Sequence, residues 1–146
     1  MKSKLILMLA LGLGLGLGCA ANPERADAPP TTGKSVVELA DVKWSAQVVA
    51  DMVMLNDRQP FIIFAGDGNI TGNASCNSFF GTYEASGASL KITIGGMTRM
   101  ACADPVTKQE QLFMTTLRQV DRYEIAGDVL TLLSGESSVI TANLKR

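Results

Sequence analysis

The sequence predicts an α+β domain, built as a mostly antiparallel sheet or a cracked small β-barrel with one principal helix at about 104–119. Three observations predict it. Short apolar runs broken by glycine fill the chain from Val36 onward. The last quarter is a meander of three runs joined by turns of two or three residues, which forces antiparallel neighbours. One segment alone, 103–120, has helical periodicity.

The elements follow in order. "VKWSAQVV" (42–49) reads as a first strand around Trp44, and "PFIIFAG" (60–66) as a buried strand. "DGN" (67–69) is a hairpin turn, because Asp-Gly tolerates the positive φ of the primed turns, and "NITGNAS" (69–75) is the return strand. "FGTYEA" (80–85) and "SLKITIGG" (89–96) form a second hairpin; Leu90, Ile92 and Ile94 alternate with Lys91 and Thr93, the period of a half-buried strand. In "ADPVTKQEQLFMTTLRQV", Asp104 is placed to cap the helix and Pro105 suits its first position. Val106, Phe113, Leu117 and Val120 share one helical face with Leu112 beside them. "DRYEIA" (121–126), "VLTLLS" (129–134) and "SVITANL" (138–144) complete the meander.

The N-terminus is expected to lie outside this domain. "MKSKLILMLALGLGLGLGC" has a basic head, an apolar run too short to span a bilayer and small residues at its end, the pattern of an export signal over 1–18. Cys19 after Gly18 reads as a lipidation site, with ordinary cleavage after Cys19-Ala20-Ala21 as the alternative. Ala20 is not the aspartate that goes with inner-membrane retention, so the expected location is the outer membrane of a bacterial envelope, facing the periplasm; a soluble periplasmic or secreted form is the alternative. Residues 19–36 hold three of the five prolines and few large apolar residues, and read as a tether; 37–146 is the folded domain.

Charge and composition narrow the function. Removing Lys2 and Lys4 with the leader takes the net charge from −1 to −3, and no basic cluster remains, so nucleic acid is not an expected partner. The chain has no histidine, which removes the commonest general base and zinc ligand. Cys76 and Cys102 are the two cysteines beyond Cys19. A nucleophilic Cys76 lacks a base, and two cysteines without C-x-x-C spacing make a poor metal site, so neither catalytic nor metal residues are expected. In an oxidising compartment the pair reads as a disulfide, which would close a loop of about 27 residues and stabilise by about 3–4 kcal/mol; two unpaired buried thiols are the alternative. Arg99 in "MTRM" (97–100) reads as a turn residue, ion-paired or solvated, with anion binding as the alternative. Asp104, Glu110 and Asp121 suggest no carboxylate pair, and no cofactor is expected.

The block "G-x-x-x-C-N-x-F-x-G-x-Y" (72–83), then "MTRMACADP" (97–105), a helix with Glu110 and Leu117, and "YEIAGDVLTL" (123–132) resembles the META domain family, including its small heat-shock lipoproteins. The resemblance implies a small antiparallel α+β or cracked-barrel domain, no established catalysis or cofactor, and association with stress response, antibiotic tolerance, motility and secretion. It marks Gly72, Cys76, Asn77, Gly81, Tyr83, Thr98, Met100 and Cys102 as structural positions. The expectation is therefore a non-enzymatic, membrane-anchored envelope protein that engages an unknown envelope protein or apolar ligand. The alternatives are a carrier for a lipid tail or apolar segment, like a secretin pilot, and a thiol-dependent enzyme.

Overall fold

The computed structural model describes residues 38–146; the leader, Cys19 and the tether lie outside the described residues. The chain forms β1 (Lys43–Val49), β2 (Met52–Val53), a single 3-10 turn at Asn56–Arg58, β3 (Phe61–Phe64), β4 (Asn69–Asn73), β5 (Ser78–Ser86), β6 (Ser89–Met97), α1 (Asp104–Leu117), β7 (Arg122–Ala126), β8 (Val129–Ser134) and β9 (Ser137–Lys145). Every run expected as a strand forms one, within a few residues. The two-residue β2 and the 3-10 turn were not expected, because neither is long enough to carry a period.

The nine strands make one antiparallel sheet in the order β2-β1-β3-β4-β5-β6-β7-β8-β9. The strand order follows the chain, with α1 between β6 and β7, except at β1, which pairs with β2, β3 and β9. The β1–β9 register runs from Lys43↔Lys145 to Val49↔Ile140, so the two ends of the domain are stitched together.

Two expectations need correction. Strand dominates the described residues, with one 14-residue α-helix, so the α+β class gives way to a sheet-rich fold. The cracked small β-barrel is also overturned, because the sheet is not a closed barrel: β6 and β7 share a single pair, Ser89↔Arg122. The reason is stagger. β6 runs from Ser89 away toward Met97, α1 returns the chain to the Ser89 end, and β7 continues beyond the β5–β6 turn, so the strands overlap only at their tips. Two backbone bonds, Leu90 N–H to Asp121 O (2.9 Å) and Tyr123 N–H to Ala88 O (2.9 Å), hold that junction.

The core lies between the inner sheet face and α1. Trp44, Phe64, Phe113, Leu117, Leu130, Leu132 and Ile140 are fully buried. The Trp44 indole N–H donates to Leu39 O at 3.0 Å, which satisfies its polar end. The helix docks through Phe113, Met114 and Leu117, with the Phe113 ring 6.1 Å from that of Phe79 on β5. Its N-cap is Ala103 rather than Asp104, and no side chain caps it; Asp104 sits one position inside, where its charge still favours the positive end of the helix.

Two of the positions that the resemblance marks are fixed by close approach. A Cβ on Gly72 would run into the Phe61 carbonyl and the Phe79 ring, and one on Gly81 into the Thr93 carbonyl. Neither glycine has a positive φ, so the need is for space rather than backbone freedom. Tyr83 packs edge-on against Phe64 at 5.0 Å, and its hydroxyl donates to Ala65 O at 2.8 Å.

Candidate functional site: a locked loop beside an open cleft

The two sequence blocks meet at one place. Cys76 and Asn77 lie in the β4–β5 connection, and 98–103 connects β6 to α1. Cys76 and Cys102 are joined by a disulfide, with Cα atoms 6.2 Å apart. Asn77 does the rest. Its side chain is nearly buried (4% exposed), and its Oδ1 accepts from the Thr98 hydroxyl at 2.8 Å and from Met100 N–H at 2.7 Å. Its Nδ2 donates to Met100 O at 3.3 Å and to Glu110 Oε1 at 3.1 Å. All the hydrogen-bonding capacity of a short amide is used, two bonds on the Met100 backbone, one on the Thr98 hydroxyl and one on Glu110 of α1.

Glu110 reaches in from α1. Its Oε2 accepts from Asn77 N–H at 2.7 Å, so both carboxylate oxygens are engaged by one residue. Thr98 Oγ1 also accepts from Ser78 N–H at 3.1 Å. Next to this network, Ser75 adopts φ 97°, an unfavourable value for a residue with a Cβ. It is held there from both sides. Ser75 N–H donates to Asn73 Oδ1 at 2.9 Å, and Gln109 Nε2 donates to Ser75 Oγ at 2.7 Å. Gln109 also donates to Arg58 O (2.8 Å) and accepts from Leu55 N–H (2.7 Å), tying the 3-10 turn to the same helix.

The sequence marks Cys76, Cys102, Asn77, Thr98 and Met100 as structural positions, and the structure brings all five together here. Gly72, Gly81 and Tyr83 lie away from it, in the sheet. Sequence reasoning missed the roles of Glu110, Gln109 and Ser75. Gln109 left a trace: it lies four residues before Phe113, so a polar side chain occupies the phase of the buried face.

The locked loop borders an open cleft of about 720 Å³, lined among others by Gly95, Gly96, Met97, Arg99, Met100 and Arg118. Met100 is 61% exposed, and Arg99 and Arg118 are exposed as well. Phe80, 60% exposed, lies across Gly95 and Gly96, where a Cβ on Gly96 would meet the ring at 2.9 Å. The cleft thus has two exposed arginines, Arg99 from the locked loop and Arg118 from the end of α1, and the exposed Met100. Among the described residues, no group of three or more Cys, Asp or Glu side chains is placed to hold a metal ion. The sulfur atoms of Cys76 and Cys102 are bonded to each other, so neither is a free thiol.

Comparison with known proteins gives the following. The family model for the META domain matches residues 37–145. No curated protein matches the chain. A Burkholderia xenovorans protein solved by NMR is similar over 84% of this chain and 98% of its own, with 21% identity and a TM-score of 0.61. A second protein solved by NMR covers 70% of this chain and 88% of its own, with 24% identity and a TM-score of 0.55. At these identities the likeness concerns the fold. A crystal structure of a DUF4847 family protein from Bacteroides vulgatus covers 57% of each chain at 23% identity and a TM-score of 0.49.

Proposed function

The chain belongs to the META domain family, and from that membership we propose that it is a non-catalytic envelope protein that works by binding through the loop at 98–102. The reading has two halves. In the first, the leader exports the chain, Cys19 carries a lipid, and the 19–36 tether holds the domain off the outer membrane on its periplasmic side. In the second, the loop and its cleft engage an envelope protein or small ligand when the envelope is under stress.

One observation carries the second half: a disulfide and three of the four hydrogen bonds of the Asn77 side chain converge on a loop whose own Arg99 and Met100 side chains are exposed. Fixing exposed side chains on a rigid base lowers the ordering cost of binding. A thiol enzyme would need a free sulfur at position 76, and that sulfur is bonded to Cys102. A barrel-type carrier would need a closed sheet around a hollow; here Trp44, Phe64, Phe113 and Ile140 fill the interior of an unclosed one.

Each half has its own test. Labelled palmitate should enter the wild-type chain and not Cys19→Ala, and a Cys19→Ala chain processed and localised like wild type would refute the anchor. For the loop, Arg99→Gln should fail to restore stress survival to a deletion strain while accumulating normally. Full restoration would refute the loop as the working surface.

A further inference from the structure

The cleft beside the loop has an uneven distribution of charge. Glu110 is the one carboxylate among its lining residues, and both its oxygens already accept from Asn77, at 2.7 and 3.1 Å. Arg99 and Arg118 line the same cleft, and neither forms an ion pair among the described residues, where the pairs are Arg122–Glu136 and Arg146–Asp128. Arg118 uses one N–H on the Met114 carbonyl of its own helix (3.1 Å), and its remaining donors have no protein acceptor among the described residues. Two guanidinium groups with open donors therefore share a cleft whose single carboxylate is engaged elsewhere.

Apart from Asn77 and Thr98, whose polar groups are tied into the lock, the rest of the lining is apolar and adaptable. Ile94, Met97 and Met100 border the cleft beside the bare backbone of Gly95 and Gly96. A smaller hollow of about 200 Å³ shares Met97, Glu110 and Arg118 with it and adds Met114, so the trough continues along α1. Methionine thioethers accommodate apolar groups of varied shape, and guanidinium groups pair with carboxylate or phosphate through two parallel hydrogen bonds. The cleft volume is in the range of ligand sites, roughly 300–1,000 Å³.

We propose that this trough binds an oxyanion, carboxylate or phosphate, carried on a short apolar body. The anion bridges Arg99 and Arg118, and the apolar body lies against Met97, Met100 and the glycine backbone. This rests on the reading of the 98–102 loop as the working surface, and it names the chemistry that the surface selects.

The test is an amide-NMR titration of the exported Cys19→Ala chain, so that no covalent lipid competes for the cleft. The probes are hexanoate, hexyl phosphate, hexan-1-ol and inorganic phosphate. Hexanoate or hexyl phosphate should shift Gly95, Gly96 and residues 98–101 saturably, and whichever binds more tightly identifies the oxyanion. Arg99→Gln or Arg118→Gln should weaken that binding about tenfold, the loss of a hydrogen bond to a charged group. Both arginines are exposed, so the variants should keep the wild-type fluorescence of buried Trp44. The proposal is overturned by any of three results: no saturable shift with either anion, equal binding of hexan-1-ol with no effect of the arginine variants, or inorganic phosphate binding as tightly as hexyl phosphate. If Arg99→Gln still abolishes stress survival while these titrations fail, the loop remains the working surface and its ligand is of another class.

Discussion

Replacing Asn77 by alanine removes the centre of the lock. Four side-chain hydrogen bonds go with it, two accepted by Oδ1 and two donated by Nδ2. Thr98 and Met100 are exposed, so water can re-satisfy part of what they lose, and Glu110 keeps the Asn77 N–H. Counting one or two incompletely satisfied groups gives a loss of about 2–4 kcal/mol. For a domain of this size that lowers Tm by about 10–20 °C. Urea unfolding followed by the fluorescence of Trp44, the only tryptophan and fully buried, measures it directly. Asn77→Asp sharpens the test. It keeps the acceptor facing Met100 but puts a carboxylate oxygen where Nδ2 now lies 3.1 Å from Glu110 Oε1. Two carboxylates at that distance raise the folded-state pKa of the pair, so stability is retained at low pH and lost as pH rises through the raised value. Asn77→Asp should therefore be less stable than Asn77→Ala at pH 7 and recover toward pH 5. A loss under about 0.5 kcal/mol for Asn77→Ala, or a flat pH profile for Asn77→Asp, would refute the account of the lock.

Other outcomes follow from the same structure. Reduction of the Cys76–Cys102 bond, which spans 26 residues of sequence, should cost about 3–4 kcal/mol in the chain-entropy model, read as a lower urea midpoint with dithiothreitol. Gly81→Ala should destabilise far more than Gly87→Ala, because the first meets the Thr93 carbonyl and the second meets nothing within 4 Å; the comparison sets lost space at Gly81 against backbone strain alone at Gly87, which has the positive φ. Asp67 accepts from the backbone N–H and then the side-chain amide of Asn69, which holds its carboxyl below the ordinary 3.8. That contribution is present above pH 3.8 and lost as pH falls through the lowered value, so acid unfolding of Asp67→Ser should be less steep than that of wild type. Burial, and then the charges of Asp41 and Asp67, push the Tyr83 phenol above 10.0; its neutral form is the stabilising one, so stability should fall above pH 10, and less so in Tyr83→Phe.

How much of this was legible in the sequence depended on distance along the chain. The hairpins were readable because their turns and alternation are local: Leu90, Ile92 and Ile94 set the β6 face within five residues, and Leu90 is buried as its phase requires. The β1–β9 pairing was not, because Lys43↔Lys145 joins residues at opposite ends of the domain and neither strand carries a mark of its partner. The barrel expectation failed at the same level, since the stagger of β6 against β7 is set by how α1 spans the gap between them. At the site, the export signal and the two cysteines left beyond Cys19 draw Cys76 to Cys102, but nothing along the chain pairs Asn77 with a carboxylate 33 residues away on a helix. The sequence reads Arg99 as a turn residue, ion-paired or solvated. It lies in the turn without an ion pair among the described residues, and a second arginine from the end of α1 lines its cleft.

On the proposed reading, the locked loop, rather than the exposed apolar strand β2, is where this protein meets what it binds. Met100 is 61% exposed on the loop and Val53 is 78% exposed on β2, so the two positions can be compared at similar accessibility. A photoreactive residue placed at each in turn, irradiated in stressed cells and read by intact mass, registers both protein and small-molecule adducts. The account predicts adducts from position 100 that disappear with Arg99→Gln, and none above background from position 53. Adducts from position 53 alone, or from position 100 regardless of Arg99, would contradict it.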